Sequence, residues 1–549
     1  MNKDLNILVD QINSLLKEKK FEELIKKIND NFDKNDISPA ILNILGAAKI
    51  FKTNASKKDK VSGAEDLRQA FVKDNSFINA LINYIRISIE LENYQNALDL
   101  AKKYELKNGY QKDICKGIAR INFKIGNVKE SVKYLEKVLK RNEGSITNWT
   151  QYLTRLNYDN FVSQEEYLKK CREFSSQLPV FDEKKLSKLI SKKNKKIKLG
   201  FLSADFRTHP VSSLVLNVIE YLNKNKFEIF GFSNTPKEKY DNKTTKYKNI
   251  FNHWDDISVL DDFESINLIR KKELDILIHL GGLFDRNRLS IIKNRVAQKQ
   301  ISWININTTG VENMDYLIAD ENLIKKNEEI YYSEKIIYMP NIWNVHNGFG
   351  KNKVTQKFNE TKPNVTFVFG SFNNFDKISE KAVLVWSNIL KKVKKSKLIL
   401  RSSNKLNNEY ILSKFEKYDV NKQIEIYDTI EDHNIHLQSY QKIDLALDTF
   451  PTPGIATTFE ALWMGTPVLT MKGFNLCSRA GESIMKNIHM EELISENENE
   501  YIKKAVEFSN DITKLNSIKN KIYDETKKSK LYDSLLFKKE LENKLLDLL

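Results

Sequence analysis

The sequence predicts a chain of mixed class, an all-helical N-terminal array followed by two α/β domains with parallel sheets. Three observations carry this. Segments between Glu92 and Val138 match each other at a spacing of 34 residues. After Lys198, short apolar runs alternate with helical stretches, the signature of a parallel sheet. Near Val365 the alternation starts afresh, so it describes two sheets rather than one. The boundaries expected from this are 1–190, 191–360 and 361–549.

In the first region ENYQNALDLAKKY (Glu92–Tyr104) aligns with GNVKESVKYLEKV (Gly126–Val138), and Leu81, Cys115 and Trp149 fall on one register upstream. An earlier unit runs from Ile41–Phe51 to Gly63–Asn75, stretched by a basic insert. The period, with small residues at helix crossings, resembles the tetratricopeptide repeat. Such units stack into a solenoid whose concave face binds a peptide. An irregular helical domain is the plainer alternative.

The expected strands of the second region are Lys198–Phe206, Lys226–Ser233, Leu274–Leu280, Lys299–Ile306 and Asp315–Asp320, with a helix over Ser213–Asn223. Those of the third are Val365–Phe372, Ser396–Ser403, Lys422–Asp428, Ile443–Phe450 and Thr466–Met471, with helices over Ser379–Lys391 and His433–Gln441. Two such sheets, joined near residues 345–363, imply two Rossmann-like domains facing across a cleft, with ligands at the carboxyl ends of the strands.

Composition limits the function. The chain has 549 residues and a net charge of +16. Its lysines are dispersed and its densest cluster, Ser191–Lys198, falls at a linker, so no nucleic-acid partner is expected. Cys115, Cys171 and Cys477 lie far apart, which suggests a reducing compartment. MNKDLNILVDQ does not read as a signal peptide, and no apolar run reaches the roughly 18 residues of a membrane span, so a cytoplasmic location is expected.

The most informative stretch is GIATTFEALWMGTPVLT (Gly454–Thr470). It follows a buried strand and leads through a helix, Phe459–Met464, into another strand. Thr457 or Thr458 reads either as a plain N-cap or as part of a phosphate site at a helix N-terminus. Other groups converge on the same strand ends. Lys377 stands at a loop-to-helix entry, His436 lies before the strand at Ile443–Phe450, and Arg479 follows the strand at Thr466–Met471. From the other domain, SADFRTHP supplies Asp205 and His209. Trp303 and Trp463 read as core, and His279 at a strand end reads equally as core or site. Taken singly, His209, His436 and Lys377 are each more readily ordinary polar residues.

Together these motifs (SADFRTHP, DILIHLGG, QISW with MDYLIAD, FGSFNNFDKIS, LDTFPTPG, TTFEALWMGTPVLT and GFNLCSR) resemble the O-linked N-acetylglucosamine transferase / SPINDLY-like glycosyltransferases. The resemblance runs from about residue 40 to the C-terminus. It implies a tetratricopeptide solenoid ahead of a GT-B pair of domains. By resemblance Lys377 contacts the donor diphosphate, His436 lies against the base, and Gly454, Thr457 and Thr458 form the phosphate turn. Glu460, usually Asp in the family, binds the ribose. His209, with Asp205 beside it, lies near the acceptor. Arg479 receives no role. The activity implied is inverting, metal-independent transfer of a sugar, N-acetylglucosamine from UDP-GlcNAc, to Ser or Thr of a polypeptide selected by the repeats. No cofactor is implied beyond the donor, and self-association of the repeats is left open.

The sequence departs from the family pattern at four places. The turn often written Gly-Tyr-Pro-Gly-Thr is NINTTG (Asn305–Gly310), Leu283 replaces an aromatic or His, Ile455 and Ala456 precede the threonines, and Glu460 replaces Asp. These changes keep other readings open: a GDP-fucose or UDP-hexose donor, an Asn acceptor, a small-molecule acceptor, or a non-catalytic scaffold with a degenerate GT-B part.

Overall fold

The computed structural model describes residues 3–33, 37–158, 162–190, 195–284, 286–348, 360–361, 365–402, 405–430, 432–526 and 528–549. The chain divides into two compact units, residues 1–143 with 404–411, and 144–403 with 412–549.

The first unit contains helices α1 (Lys3–Lys17), α2 (Phe21–Asn31), α3 (Pro39–Phe51), α4 (Lys57–Lys73), α5 (Ile78–Glu90), α6 (Tyr94–Asn108), α7 (Lys112–Lys124) and α8 (Val128–Leu139). Leu81 is the fourth residue of α5 and Cys115 the fourth of α7, and both are fully buried. Ala97 in α6 and Ser131 in α8 repeat the correspondence, so one 34-residue period is a helical hairpin. Ser56 and Asp59 close a capping box that starts α4. The α3–α4 crossing is tight because a Cβ on Gly46 or Gly63 would lie 2.7 Å from the other's carbonyl oxygen.

The second unit opens with α9 (Ile146–Leu156) and α10 (Gln164–Ser176). A seven-stranded sheet follows: β1 (Ile197–Ser203), β2 (Phe227–Ser233), β3 (His253–Asp256), β4 (Leu274–Leu280), β5 (Ala297–Trp303), β6 (Tyr316–Ala319) and β7 (Lys335–Tyr338). Its order is β3-β2-β1-β4-β5-β6-β7, all parallel, with Ile197–Ser203 registered on Phe227–Ser233 residue for residue. The second sheet contains β8 (Phe367–Ser371), β9 (Ser396–Arg401), β10 (Ile424–Tyr427), β11 (Leu445–Leu447), β12 (Val468–Met471) and β13 (Ile494–Ser495), ordered β10-β9-β8-β11-β12-β13 and again parallel. Strand order reverses beside β1 and β8, which opens a crevice at their carboxyl ends.

Every strand expected from the sequence is present. Strands β3, β7 and β13 were not expected, and all are short edge strands. The first half of the basic cluster Ser191–Lys198 and most of the joint near 345–363 lie outside the described residues. No helix among the described residues is long and apolar enough to cross a membrane.

The two α/β domains are tied together. Arg479 forms a two-pronged ion pair with Glu328 (2.5 and 2.8 Å), and Ser483 donates to Asp320 (2.7 Å). The helix Ser534–Leu546 returns to the first domain. It packs on the helix Pro210–Tyr221, stacks Phe537 on the buried Trp303 at 5.6 Å, and accepts the Asn223 N–H at Glu542 (2.7 Å).

Candidate active site

A cleft of about 670 Å³ opens between the two α/β domains of the second unit, lined by residues of both. Six of the eight expected site residues face it: Asp205 and His209 from one wall, Lys377, His436, Thr457 and Glu460 from the other. Gly454 and Thr458 lie buried behind the second wall.

That wall is built around the opening of one helix, which spans Ala456–Trp463. This corrects the expected start at Phe459 and the expected cap. Ile455 holds the N-cap position and makes no side-chain bond, while Thr457 and Thr458 lie inside the first turn. Thr457 donates to Asn373 Oδ1 (2.9 Å), and Thr458 donates back to the Gly454 carbonyl (3.1 Å). With no side chain over them, the first N–H groups of the helix remain available to an anion.

The loop before that helix hangs on Asp448, a residue the sequence reading passed over. Its carboxylate accepts from Gly454 N–H (2.7 Å), Thr449 N–H (3.0 Å), Asn373 Nδ2 (3.2 Å) and Thr470 Oγ1 (2.9 Å). Burial nevertheless pushes its pKa up to about 6. The signal was present in the sequence: an acid directly follows the apolar strand Leu445–Leu447. Lys377 ends a 3-10 turn, Phe375–Lys377, and donates to the Pro453 carbonyl (2.7 Å). Burial holds its ammonium below the usual lysine range, with Cys477 and Asp448 pulling the other way. Ser379 caps the next helix and donates to the Phe450 carbonyl (3.0 Å), which fastens the lysine loop to the Asp448 loop.

Farther along this wall, His436 Nε2 meets Glu460 Oε2 at 3.0 Å, and Tyr440 OH donates to the same oxygen at 3.1 Å. Burial raises the Glu460 carboxyl, but the His436 and Tyr440 bonds and the histidine charges outweigh it and hold the group below the ordinary carboxylate range. Arg401 contacts His436 Nδ1, donates to Ser439 (2.6 Å) and lies 4.1 Å over the Phe372 ring. A β-strand end supplies Arg401, and nothing in its local sequence distinguished it.

On the opposite wall His209 occupies the N-cap of the helix Pro210–Tyr221. Its Nδ1 accepts from Val211 N–H (3.3 Å) and stands 3.6 Å from Asp205 Oδ2. Burial, partly offset by Asp205, holds its pKa below the usual histidine range. The ring is therefore neutral near pH 7 and carries its proton on Nε2. His279 is a buried core residue donating to the Asn287 carbonyl (2.6 Å). Trp303 is core as expected, whereas Trp463 is only partly buried, edge-on to Tyr532.

The altered turn at Asn305–Gly310 holds its shape without the family's Gly and Pro. The Asn305 carboxamide accepts from Ile306 N–H (2.8 Å) and Leu283 N–H (3.3 Å). Buried Glu334 accepts from the Thr308 hydroxyl (2.6 Å), the Thr309 hydroxyl (2.5 Å) and Thr309 N–H (2.7 Å). Ile304, Asn305 and Ile306 are thereby left facing the cleft. Behind them Asn157, just after α9, accepts from Asn307 (2.9 Å) and Asn475 (3.3 Å), one from each domain. Among the described residues no group of three or more His, Cys, Asp or Glu could hold a metal ion.

The sequence profile of glycosyl transferase family 41 matches residues 179–353 and 349–541. The chain belongs to glycosyl transferase family 41. Similar family members include a probable UDP-N-acetylglucosamine–peptide N-acetylglucosaminyltransferase SPINDLY of Solanum lycopersicum, 29% identical over 360 residues, covering 63% of this chain and 38% of that one. The probable UDP-N-acetylglucosamine–peptide N-acetylglucosaminyltransferase SEC of Arabidopsis thaliana is 25% identical over 357 residues, covering 63% and 36%. The family 41 chain thus spans less than two fifths of these curated relatives. The solved structure of a Thermobaculum terrenum O-GlcNAc transferase mutant has the same fold, with a TM-score of 0.77 over 93% of this chain and 97% of that one at 22% identity. A GT-B architecture preceded by helices is therefore common to both.

Proposed function

We propose that this protein is an inverting, metal-independent glycosyltransferase that moves N-acetylglucosamine from UDP-GlcNAc to Ser or Thr of a polypeptide held by the helical repeats. The observation that carries the reading is one cleft with two unlike walls. One presents Lys377, Thr457 and an uncapped helix start; the other presents Asp205 and His209. The names of the curated relatives support the donor and the peptide acceptor.

The diphosphate rests on the first turn of Ala456–Trp463 and on Lys377, which together stabilise the charge that develops as it departs. Glu460 takes the ribose hydroxyls, and His436 lies against the base. The acceptor hydroxyl oxygen attacks the anomeric carbon from the side opposite the phosphate, so the C–O bond to phosphate breaks and the configuration inverts. His209, with its proton on Nε2, donates a hydrogen bond and orients the reactants. The hydroxyl proton passes to the departing phosphate oxygen.

The test is thermal stabilisation by UDP, GDP and their sugar conjugates, with transfer to peptides assayed alongside. A ligand at 100 times its Kd adds about 2.7 kcal/mol. UDP and UDP-GlcNAc should raise the melting temperature, and Lys377→Ala should abolish transfer while leaving the fold intact. A shift with GDP alone would replace the donor by a GDP-sugar. No shift with any nucleotide, or full transfer by the variant, would overturn the assignment.

A further inference from the structure

The donor wall supplies its own countercharge to a diphosphate through Lys377 and the helix start. The opposite wall carries cations for which the proposed donor has no use. Lys239 and Arg286 line the same cleft, and among the described residues neither side chain has a hydrogen-bond or ion-pair partner. Arg207 lines it too, and its Nε is buried with no partner. The acid on this wall, Asp205, is already engaged by Arg207 (3.2 Å) and stands 3.6 Å from His209. The backbone of Arg286 is held in place: it is left-handed, with φ +58°, and its carbonyl accepts from Asn234 Nδ2 (2.9 Å). A non-glycine residue in that conformation is disfavoured unless its surroundings impose it. Pro236 and Phe284 line the cleft alongside these cations, offering apolar surface of the kind a peptide covers.

We propose that the acceptor taken by this cleft is an acidic peptide segment, with Asp or Glu beside the modified hydroxyl, recognised by Lys239 and Arg286. This rests on the function proposed above and narrows its substrate class. Both side chains are exposed, and cations gathered on one wall of a cleft attract opposite charge and disfavour basic partners, in a way that salt screens. The carboxylate adds charge-assisted hydrogen bonds to a guanidinium that otherwise lacks a partner.

The experiment uses the full chain, UDP-GlcNAc and Ser/Thr-centred peptide libraries that differ only at flanking positions: Asp/Glu, Asn/Gln or Lys. The acidic library should be modified with roughly threefold to fivefold higher kcat/KM than its amide counterpart, the yield of an ion pair with exposed cations. That ratio should fall towards one in Arg286→Gln and Lys239→Gln, and should shrink with added salt. Because the ratio compares two substrates on one enzyme, it is insensitive to a general loss of activity. Equal use of acidic and amide peptides overturns the inference and leaves the transferase reading standing. An acidic preference that survives both substitutions unchanged overturns it as well, since the protein's overall positive field would then be its source. No transfer to any peptide from any nucleotide sugar overturns the function reading, and this inference with it.

Discussion

Replacing Arg479 by Met should loosen the two α/β domains from each other. Its guanidinium makes two bonds to Glu328 (2.5 and 2.8 Å), one to the Leu323 carbonyl (3.1 Å) and one to the Gly473 carbonyl (3.1 Å). The paired side chains are only 10% and 16% exposed. Burial raises the Glu328 carboxyl, but Arg479 and the Lys325 N–H hold it below its usual range, so it stays ionised at neutral pH. Methionine keeps most of the packing and removes the guanidinium donors, leaving the carboxylate only the Lys325 N–H and depriving two carbonyls of a partner. Breaking one side of a buried pair costs about 3–5 kcal/mol, and residual exposure here argues for the lower end, about 3 kcal/mol. Urea unfolding followed by tryptophan fluorescence would measure it. Glu328→Gln and the double variant complete a cycle whose coupling energy should exceed about 1.5 kcal/mol. A loss below about 1 kcal/mol, with coupling near zero, would mean that the pair behaves like a surface contact and does not clamp the domains.

Three further predictions concern the donor wall. A Cβ on Gly454 would lie 2.3 Å from Thr457 Oγ1 and 2.9 Å from Asn373 Oδ1, so Gly454→Ala should weaken UDP binding at least tenfold by calorimetry; unchanged affinity would exclude this turn as the phosphate site. Glu460→Gln takes a charged acceptor from His436 and Tyr440 and, on the proposed function, from the ribose, and should raise the donor KM by roughly tenfold while leaving the peptide KM unchanged. If only the peptide KM moved, Glu460 would belong to the acceptor side. Asp448 has a folded pKa of about 6 against 3.8 unfolded, so the native state keeps a proton that the unfolded chain releases, and this contribution to stability is lost as pH rises from about 4 to 6. Two units correspond to about 3 kcal/mol, so Asp448→Asn should gain that much on wild type across the window, and a pH-independent difference would contradict the burial of this acid.

The sheets were legible because buried parallel strands are written as continuous apolar runs. Leu274–Leu280 was expected to the residue, since a polar or Gly step bounds it on each side. His253–Asp256 was not, because an edge strand with no fully buried residue has no apolar signature. The lining of the cleft was legible where residues stand at strand ends or helix starts within motifs, as Lys377, His436 and Glu460 do. It was illegible where function depends on packing between distant segments. Thr457 and Thr458 look like caps in sequence, yet Asp448 holds the preceding loop so that the helix begins before them. Asn157 joins loops from both domains, and no local pattern records that.

The return of Ser534–Leu546 to the first α/β domain has a consequence for the order of synthesis. Asn223 and Glu542 are bonded across 319 positions of sequence. On a ribosome the helix Pro210–Tyr221 and Trp303 emerge long before the segment that covers them. Domains usually fold in order of emergence. Here the earlier domain stays unfinished, with an apolar face bare, until the later one has been made. The interval is a window for chaperone capture, and it makes completion of the second domain a condition for completing the first.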